Sequence, residues 1–196
     1  TLAANTTLTG GAIHTQSTLA GGGNALTIAG AADIDGDYTG LSSLSVSGTA
    51  DLGANVTTTG TQTYAGAVTL SGGARTLTGS SINTQSTLAG GGNALTITGA
   101  ADIDGAYTGL SSLSISGASD LGANITTTGA QTYTGAVTLS GGDRTLTTTN
   151  SAVTFSGTLN SESGQNRALT LALGTGQATF GGAVGGTRAL EAVDIT

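Results

Sequence analysis

Residues 56–70 read VTTTGTQTYAGAVTL, and residues 125–139 read ITTTGAQTYTGAVTL. The second stretch begins 69 positions after the first, and the likeness extends well beyond both stretches. Without a gap, residues 15–80 match residues 84–149 at 55 of 66 positions, and most of the substitutions are mild. Repeats of this size are typical of solenoids, propellers or strings of domains. The fold therefore depends on whether the 69-residue block subdivides.

A shorter pattern recurs inside the block. It consists of any residue, then Tyr, Phe or Leu, then any residue, then Gly, and its second member is Leu19, Tyr38, Tyr64, Leu88, Tyr107, Tyr133, Phe155 or Phe180. Successive second members lie 19, 26, 24, 19, 26, 22 and 25 positions apart, and these steps average 23. This spacing predicts three units of about 23 residues in each block. The pattern continues into the more divergent residues 150–196, where the near-identity has ended.

Apolar residues alternate with Thr or Ser within each unit, as in Leu26-Thr27-Ile28 and Val68-Thr69-Leu70. A period of two predicts strands with one apolar face and one polar face. Between the runs lie turn-forming stretches such as Gly21-Gly22-Gly23-Asn24 and Ser71-Gly72-Gly73. Helical spacing does not appear, so each unit is predicted to be two or three short strands joined by turns.

A unit of about 23 residues cannot form a core alone and must stack on its neighbours. Strands one unit apart are then parallel and about 4.8 Å apart, and the rest of each coil supplies the crossover. The sequence predicts an all-β fold, a single-stranded parallel β-helix (β-solenoid) of about eight coils, continuous over residues 1–196. The alternative is a flexible Gly/Ser/Thr linker, which would not need regular apolar alternation.

Composition and charge limit the classes of partner. The chain has 35 glycines, 8% charged residues, and no Pro, Cys, Met or Trp, and its net charge is −7. Four arginines and no lysine cannot form a phosphate-tracking patch, so we expect no nucleic acid partner. No apolar run approaches the roughly 18 residues of a membrane span, so we expect no membrane insertion. Lacking a signal peptide and an initiating Met, the sequence is expected to be a fragment of a longer chain.

Residues suited to catalysis are scarce. The single histidine, His14, is replaced by Asn83 one repeat later, which favours a turn or surface position. The absence of Cys and Lys excludes thiol and Schiff-base mechanisms and a His/Cys metal cluster. Paired carboxylates could run glycoside chemistry in a β-helical polysaccharide enzyme, but such clefts usually add cationic and aromatic side chains. We expect no enzyme, no catalytic residue and no cofactor.

Three carboxylates at alternate positions, Asp33, Asp35 and Asp37, form the sharpest local feature. Alternate aspartates can bring several oxygens onto one Ca²⁺, which makes these residues a weak candidate calcium site. The spacing of an EF-hand loop is absent, and the second copy retains only Asp102 and Asp104. The competing interpretation is a solvated strand face.

Two threonine runs, Thr57–Thr59 and Thr126–Thr128, suggest a further binding surface. Ranks of threonine on a flat solenoid face can order water, so a ligand-binding solenoid for carbohydrate or ice is the alternative function. The run occurs only once in each 69-residue block, which would break such an array. The competing interpretation is outward threonine that favours extended backbone.

The repeats at residues 56–70 and 125–139 look like those of very large bacterial adhesins. They resemble filamentous-haemagglutinin-like exoproteins, which are secreted by two-partner or autotransporter routes. Val153-Thr154-Phe155-Ser156-Gly157 and Ala178-Thr179-Phe180-Gly181-Gly182 are similar to the shorter coil motif of that group. The resemblance implies a right-handed β-helix, export to the bacterial cell surface, and attachment or matrix formation. No catalytic residue carries over.

The expected role is a non-catalytic stalk or filament segment of a secreted bacterial cell-surface adhesin or extracellular matrix protein. A continuous ladder resists bending, and each added coil extends the reach of the rod. Open strand edges predict self-association, end to end or laterally. A host-surface or polysaccharide ligand is the other expected partner.

Overall fold

The chain forms strands and turns throughout. A computed structural model describes all 196 residues and contains 24 β-strands and no helix. Neighbouring strands pair in parallel along the whole stack. No helix with the length and apolarity to cross a membrane is present. The prediction of an all-β solenoid of stacked parallel coils is confirmed.

The strands stack in three columns, named A, B and C in the order in which each coil visits them. Four bent strands serve two columns each: β1 (Thr6–Thr15), β3 (Leu26–Ile34), β10 (Arg75–Thr84) and β12 (Ala94–Ile103). Beside these, column A holds β5 (Leu44–Val46), β8 (Thr61–Tyr64), β15 (Ser119–Leu121), β18 (Val137–Leu139) and β21 (Leu159–Ser161).

The other two columns are built in the same way. Column B holds β6 (Ala50–Leu52), β9 (Val68–Leu70), β11 (Leu88–Ala89), β13 (Tyr107–Leu110), β16 (Ile125–Thr127), β19 (Arg144–Thr147), β22 (Leu169–Ala172) and β24 (Val193–Ile195). Column C holds β2 (Leu19–Ala20), β4 (Tyr38–Leu41), β7 (Val56–Thr58), β14 (Ser112–Ile115), β17 (Gln131–Tyr133), β20 (Val153–Phe155) and β23 (Ala178–Phe180).

The number of coils agrees with the number predicted from the sequence, but the length of each coil does not. Eight turns separate Leu19 from Phe180 in column C, with register steps of 19, 18, 21, 20, 18, 18, 22 and 25 positions. The predicted 23-residue coil is therefore wrong for most of the molecule. The repeat region has the six shorter steps, and the two longer steps follow it.

The error arises because the Tyr/Phe/Leu-x-Gly pattern changes column. Tyr38 lies in column C and pairs with Val56 one coil later, whereas Tyr64 lies a further third of a turn along, in column A. The interval from Tyr38 to Tyr64 is therefore one coil and a third. In the same way, the 69 residues between equivalent positions of the two repeats span three and two-thirds turns. Ile28 lies in column A, whereas its repeat Ile97 lies in column C, two-thirds of a turn further along the coil. Each copy of the repeat is rotated to a different face.

The apolar residues of all three columns point inward and form one core of 38 buried residues. Aromatic rings extend along column C, where Tyr133 and Phe155 stack with ring centroids 5.2 Å apart and Phe155 and Phe180 with centroids 5.4 Å apart. Stacked aromatic pairs stabilise a core by about 0.5–1.5 kcal/mol beyond the burial of their area. The core therefore continues past the repeat into the divergent coils.

One corner of the tube, between columns C and A, is a row of stacked glycines: Gly60, Gly79, Gly99, Gly117, Gly135, Gly157 and Gly182. A β-carbon on Gly117 would lie 2.4 Å from the carbonyl group of Gly99 in the preceding coil. Real β-carbons essentially never come so close to backbone atoms. Glycine is needed here because successive coils are in direct backbone contact.

Amide side chains hold other corners. Asn55 Oδ1 accepts a hydrogen bond from the Thr76 amide at 2.8 Å, and its repeat Asn124 does the same for Thr145 at 2.9 Å. Each bond joins a turn to a strand of the next coil and satisfies a backbone amide of that strand. The right hand of the coil stays a prediction of the family resemblance.

Candidate functional site

The three candidate calcium ligands are placed on the outside of one strand and the turn that follows it. Asp33 Oδ2 contacts His14 Nδ1 at 2.6 Å, and Asp37 Oδ1 accepts a hydrogen bond from the Asn55 amide at 2.9 Å. Asp35 is exposed, with Oδ1 against Gly53. No group of three or more His, Cys, Asp or Glu side chains has the arrangement of a metal centre. The structure therefore does not gather Asp33, Asp35 and Asp37 around one point.

Stacking instead aligns aspartates from successive coils. In column B, His14 is in register with Asp33, Asp33 with Asp51, and Asp51 with Thr69. All four side chains point outward, because the residues on either side of them face the core. The result is a polar row, called the column B row, whose members are about 4.8 Å apart.

The second repeat builds the same row on another face. Asn83, Asp102, Asp120 and Thr138 are in register in column A. Burial raises the pKa of the Asp102 carboxyl, and the negative charges of Asp104 and Asp120 raise it further. Like charges directly opposite each other on neighbouring strands are destabilising. Both repeats thus stack carboxylates at a cost in stability.

A groove of about 320 Å³ lies along the column B row. Small residues open it, and its lining consists of Ala12, Ala31, Ala32, Asp33, Thr49, Ala50, Asp51, Ala67 and Thr69. Asp51 Oδ1 is closed off from solvent and has no hydrogen-bond partner. In the second repeat the equivalent Oδ1, that of Asp120, accepts a hydrogen bond from Ser140. The groove is therefore bordered by a carboxylate oxygen that the chain itself does not satisfy.

Sequence reasoning missed this row because it used the wrong coil length. Ala32-Asp33-Ile34 and Ala50-Asp51-Leu52 are 18 positions apart, and Ala101-Asp102-Ile103 and Ser119-Asp120-Leu121 repeat that spacing. The recurrence of an Asp between a small and a large apolar residue was the available signal. It gives the true coil length of this part of the chain directly.

Buried polar groups inside the tube are satisfied by one another. The Tyr64 hydroxyl donates to Gln62 Oε1 at 2.9 Å, and Gln62 Nε2 donates to the Thr78 carbonyl at 2.8 Å. Tyr133 and Gln131 repeat the first contact at 2.9 Å. Because both glutamines are fully buried and bonded to backbone carbonyls, these networks fix the packing of the core.

The remaining tyrosines pair with threonines. The Tyr38 and Tyr107 hydroxyls each lie 2.9 Å from a hydroxyl oxygen, that of Thr15 and that of Thr84. Burial raises the pKa of Tyr38, Tyr64, Tyr107 and Tyr133 above the ordinary value of tyrosine. The native state therefore holds these protons more tightly than the unfolded chain. The resulting stability is complete below about pH 10 and is lost as the pH rises above it.

His14 lies at the surface, with 61% of its side chain exposed. It contacts Asp33, but no serine or threonine hydroxyl bonds its other ring nitrogen. A hydrolytic triad needs a nucleophile that contacts a base, and an acid that contacts and orients that base. The His14–Asp33 pair therefore lacks the nucleophile of such a triad.

The two threonine runs lie on different faces of the tube. Thr57 is exposed in column C, and its repeat Thr126 is exposed in column B. The middle threonine of the first run, Thr58, points inward and is 4% exposed. The runs therefore do not form one continuous threonine face.

The last coil exposes residues that occupy core-facing positions. Val193 and Ile195 are in register with the fully buried Leu169 and Leu171 of the preceding coil, yet they are 39% and 53% exposed. Val184, which bridges to Leu159, is 41% exposed. These three core-facing side chains are therefore only partly covered by the residues described.

Comparisons with protein-family models, curated proteins and solved structures found no match for this chain.

Proposed function

We propose that this chain is a non-catalytic stalk or filament segment of a secreted bacterial cell-surface adhesin or extracellular matrix protein. The observation that carries the proposal is the unbroken hydrogen-bonded stacking of three strand columns around one core of 38 residues. In such a rod each coil contacts only the coils beside it, so further coils lengthen the rod without altering the packing of the others. The likeness of the repeats to filamentous-haemagglutinin-like exoproteins supports the bacterial surface as the location.

The mechanical part of this proposal is tested by stretching single molecules held at both ends. A load along the rod must separate coils that share a complete row of backbone hydrogen bonds. We expect a series of steps, each releasing about 20 residues, or roughly 70 Å of extended chain. Extension without resistance would contradict a load-bearing role.

The location is tested with antibodies raised against the 196-residue chain. Intact cells of the bacterium that encodes it should be labelled as strongly as permeabilised cells. Labelling that requires permeabilisation would contradict a surface stalk. A mechanically strong rod that remains inside the cell would separate the two parts of the proposal.

The proposal includes association between copies of the chain. In the 196-residue chain, Val184, Val193 and Ile195 are partly exposed in core-facing positions, so another coil with the same column architecture, from a longer chain or from a second copy, would cover them. Sedimentation velocity should show oligomers that grow with concentration and that Ile195→Asp reduces. The matched control is Thr170→Asp, on the outward face of the preceding coil. A strict monomer at high concentration would contradict association.

A further inference from the structure

We propose that the outward face of column C binds ice through a two-dimensional grid of hydroxyl groups. The grid, called the column C array, consists of a pair of hydroxyl residues from each of five successive coils: Thr76 and Thr78, Thr96 and Thr98, Ser114 and Ser116, Thr132 and Thr134, and Thr154 and Ser156. This proposal is independent of the stalk proposal, because it requires only one face of the solenoid.

The first argument is the unbroken register of the array. Ser114 is paired with Thr96 on one side and with Thr132 on the other, and no bulge interrupts these ladders. The second member of the pair keeps this register, because the Ser116 amide donates to the Ile97 carbonyl of the preceding coil. The residues of the array therefore repeat at about 4.7–4.9 Å from coil to coil and at about 6.6 Å within a pair.

The second argument is the match between this grid and ice. The oxygen atoms of hexagonal ice repeat along one axis at nearly the distance between coils, and along the perpendicular axis at slightly more than the distance within a pair. Water molecules bonded to successive hydroxyl groups would therefore lie close to the positions of an ice surface. Threonine is stiff about χ1, so little side-chain entropy is lost when such a layer forms.

The third argument is that the hydroxyl groups are accessible to water and that no charge lies among them. The exposed members of the array are Thr96, Thr98, Ser114, Ser116, Thr134 and Ser156. The Ser116 hydroxyl accepts a hydrogen bond from the Gly99 amide at 3.1 Å, and the other hydroxyl groups of the array bond no group of the protein. The array contains no acidic or basic residue, although the net charge of the chain is −7. An uncharged face suits a solid that has no charge, because removing charged groups from liquid water is costly.

Fully buried side chains support the array from inside. Ile97, Ile115, Tyr133 and Phe155 each lie between the two hydroxyl residues of a pair and point into the core. The rings of Tyr133 and Phe155 are stacked on each other. Because the core beneath the array is closely packed, the face keeps its shape when water orders against it.

The first repeat places the equivalent residues on column A, where the grid is incomplete. Ala29 stands where the second repeat has Thr98. Likewise, Ala65 stands where it has Thr134, so two pairs in column A lack their second hydroxyl group. The same ladder continues to the carboxylate of Asp102, which brings charge onto that face. We therefore expect ice to bind to column C and not to column A.

The test is the growth of single ice crystals in a solution of the 196-residue chain, observed while the temperature is lowered below the melting point. We expect thermal hysteresis, which is a gap between the melting and freezing temperatures, and crystals with flat facets. Thr132→Tyr should abolish both, because its ring would project from within the grid. The matched control is Thr63→Tyr, at the equivalent residue of the first repeat in column A, and it should leave the hysteresis unchanged.

A second variant restores the residues of the first repeat. Thr98→Ala combined with Thr134→Ala should lower the hysteresis, since it removes two hydroxyl groups without adding bulk or charge. Circular dichroism of each variant establishes that it is folded. Freely growing crystals without facets in the wild-type solution, or an equal loss in Thr63→Tyr and Thr132→Tyr, would overturn the proposal. Sedimentation velocity of Thr132→Tyr completes the test, because smaller oligomers with unchanged ice growth would show that the face joins copies of the chain instead of binding ice.

Discussion

Ser119 and Ala50 occupy equivalent core-facing positions in the two repeats, and they differ by one hydroxyl group. Ser119 is 2% exposed, and its hydroxyl has no hydrogen-bond partner, whereas Ala50 has no polar side-chain atom to satisfy. An unsatisfied buried hydroxyl costs about 1–3 kcal/mol. The two repeats thus provide a comparison between a core position with an unsatisfied hydroxyl group and the equivalent position without one.

Ser119→Ala should therefore stabilise the fold by about 1 kcal/mol, since it removes the orphaned hydroxyl and leaves no larger void than the equivalent Ala50 does. Ala50→Ser should destabilise it by a similar amount. Urea unfolding followed by circular dichroism measures both changes. A loss of stability in Ser119→Ala would show that the hydroxyl is bonded in the native protein.

Single residues also mark the limit of sequence reasoning. The alternation of Asp33, Ile34 and Asp35 predicts which side chains point outward, and the structure confirms it, with Ile34 fully buried. Alternation is a local property, fixed by the pleat of one strand. The neighbour of Asp33 across the ladder is set by the register between coils, which no single strand contains. The Asp33–Asp51 pair was therefore missed.

At the scale of the element, the corners constrain the chain more than the strands do. Strands of three or four residues alternate inward and outward positions and tolerate Val, Ile or Leu at the inward sites. The glycine corner between columns C and A tolerates no side chain, because each glycine lies against the backbone of the coil before it. The stacking distance is thus enforced at the turns.

Gly117→Ala should destabilise the protein by about 3 kcal/mol or more, because its β-carbon would lie 2.4 Å from the Gly99 carbonyl group. Its backbone does not require a positive φ, so the cost is one of space. The matched control is Gly11→Ala, where a β-carbon has no heavy atom within 4 Å. That change should alter the free energy of unfolding by less than about 0.5 kcal/mol. Equal effects in a denaturant titration would contradict the close approach of the coils.

At the scale of the whole molecule, the fold could be predicted but the coil length could not. Period-two alternation and the 69-residue repeat suffice for a stack of parallel strands, because any other arrangement leaves the apolar faces uncovered. The marker residues Tyr38 and Tyr64 misled because the same local sequence serves any of the three columns. Averaging the marker spacing gave a 23-residue unit, which is a coil and a fraction rather than a coil.

Deletion of residues 15–83, which is equal in length to the offset between the two repeats, should give a shorter solenoid that still folds cooperatively. The deletion joins His14 to Thr84, and β10 pairs with β12 in the same bulged register as β1 with β3, so β1 can replace β10 beneath β12. Deletion of residues 15–37 removes one unit of the average marker spacing, which is one coil and a fraction. It should disrupt the first coils, because the strands that follow the deletion would not return to their columns. Circular dichroism, thermal unfolding and limited proteolysis distinguish the two. If the shorter deletion folded and the longer one did not, the column assignment would be contradicted.

The rotation of each 69-residue copy by two-thirds of a turn has a geometric consequence for any tandem array of this repeat. Three copies, or eleven coils, must pass before a given side chain returns to the same side, an axial period of about 53 Å. Equivalent surface features are therefore related by a threefold screw around the axis. A flat target would meet one copy in three, whereas partners arriving from all directions would find identical docking positions around the whole circumference.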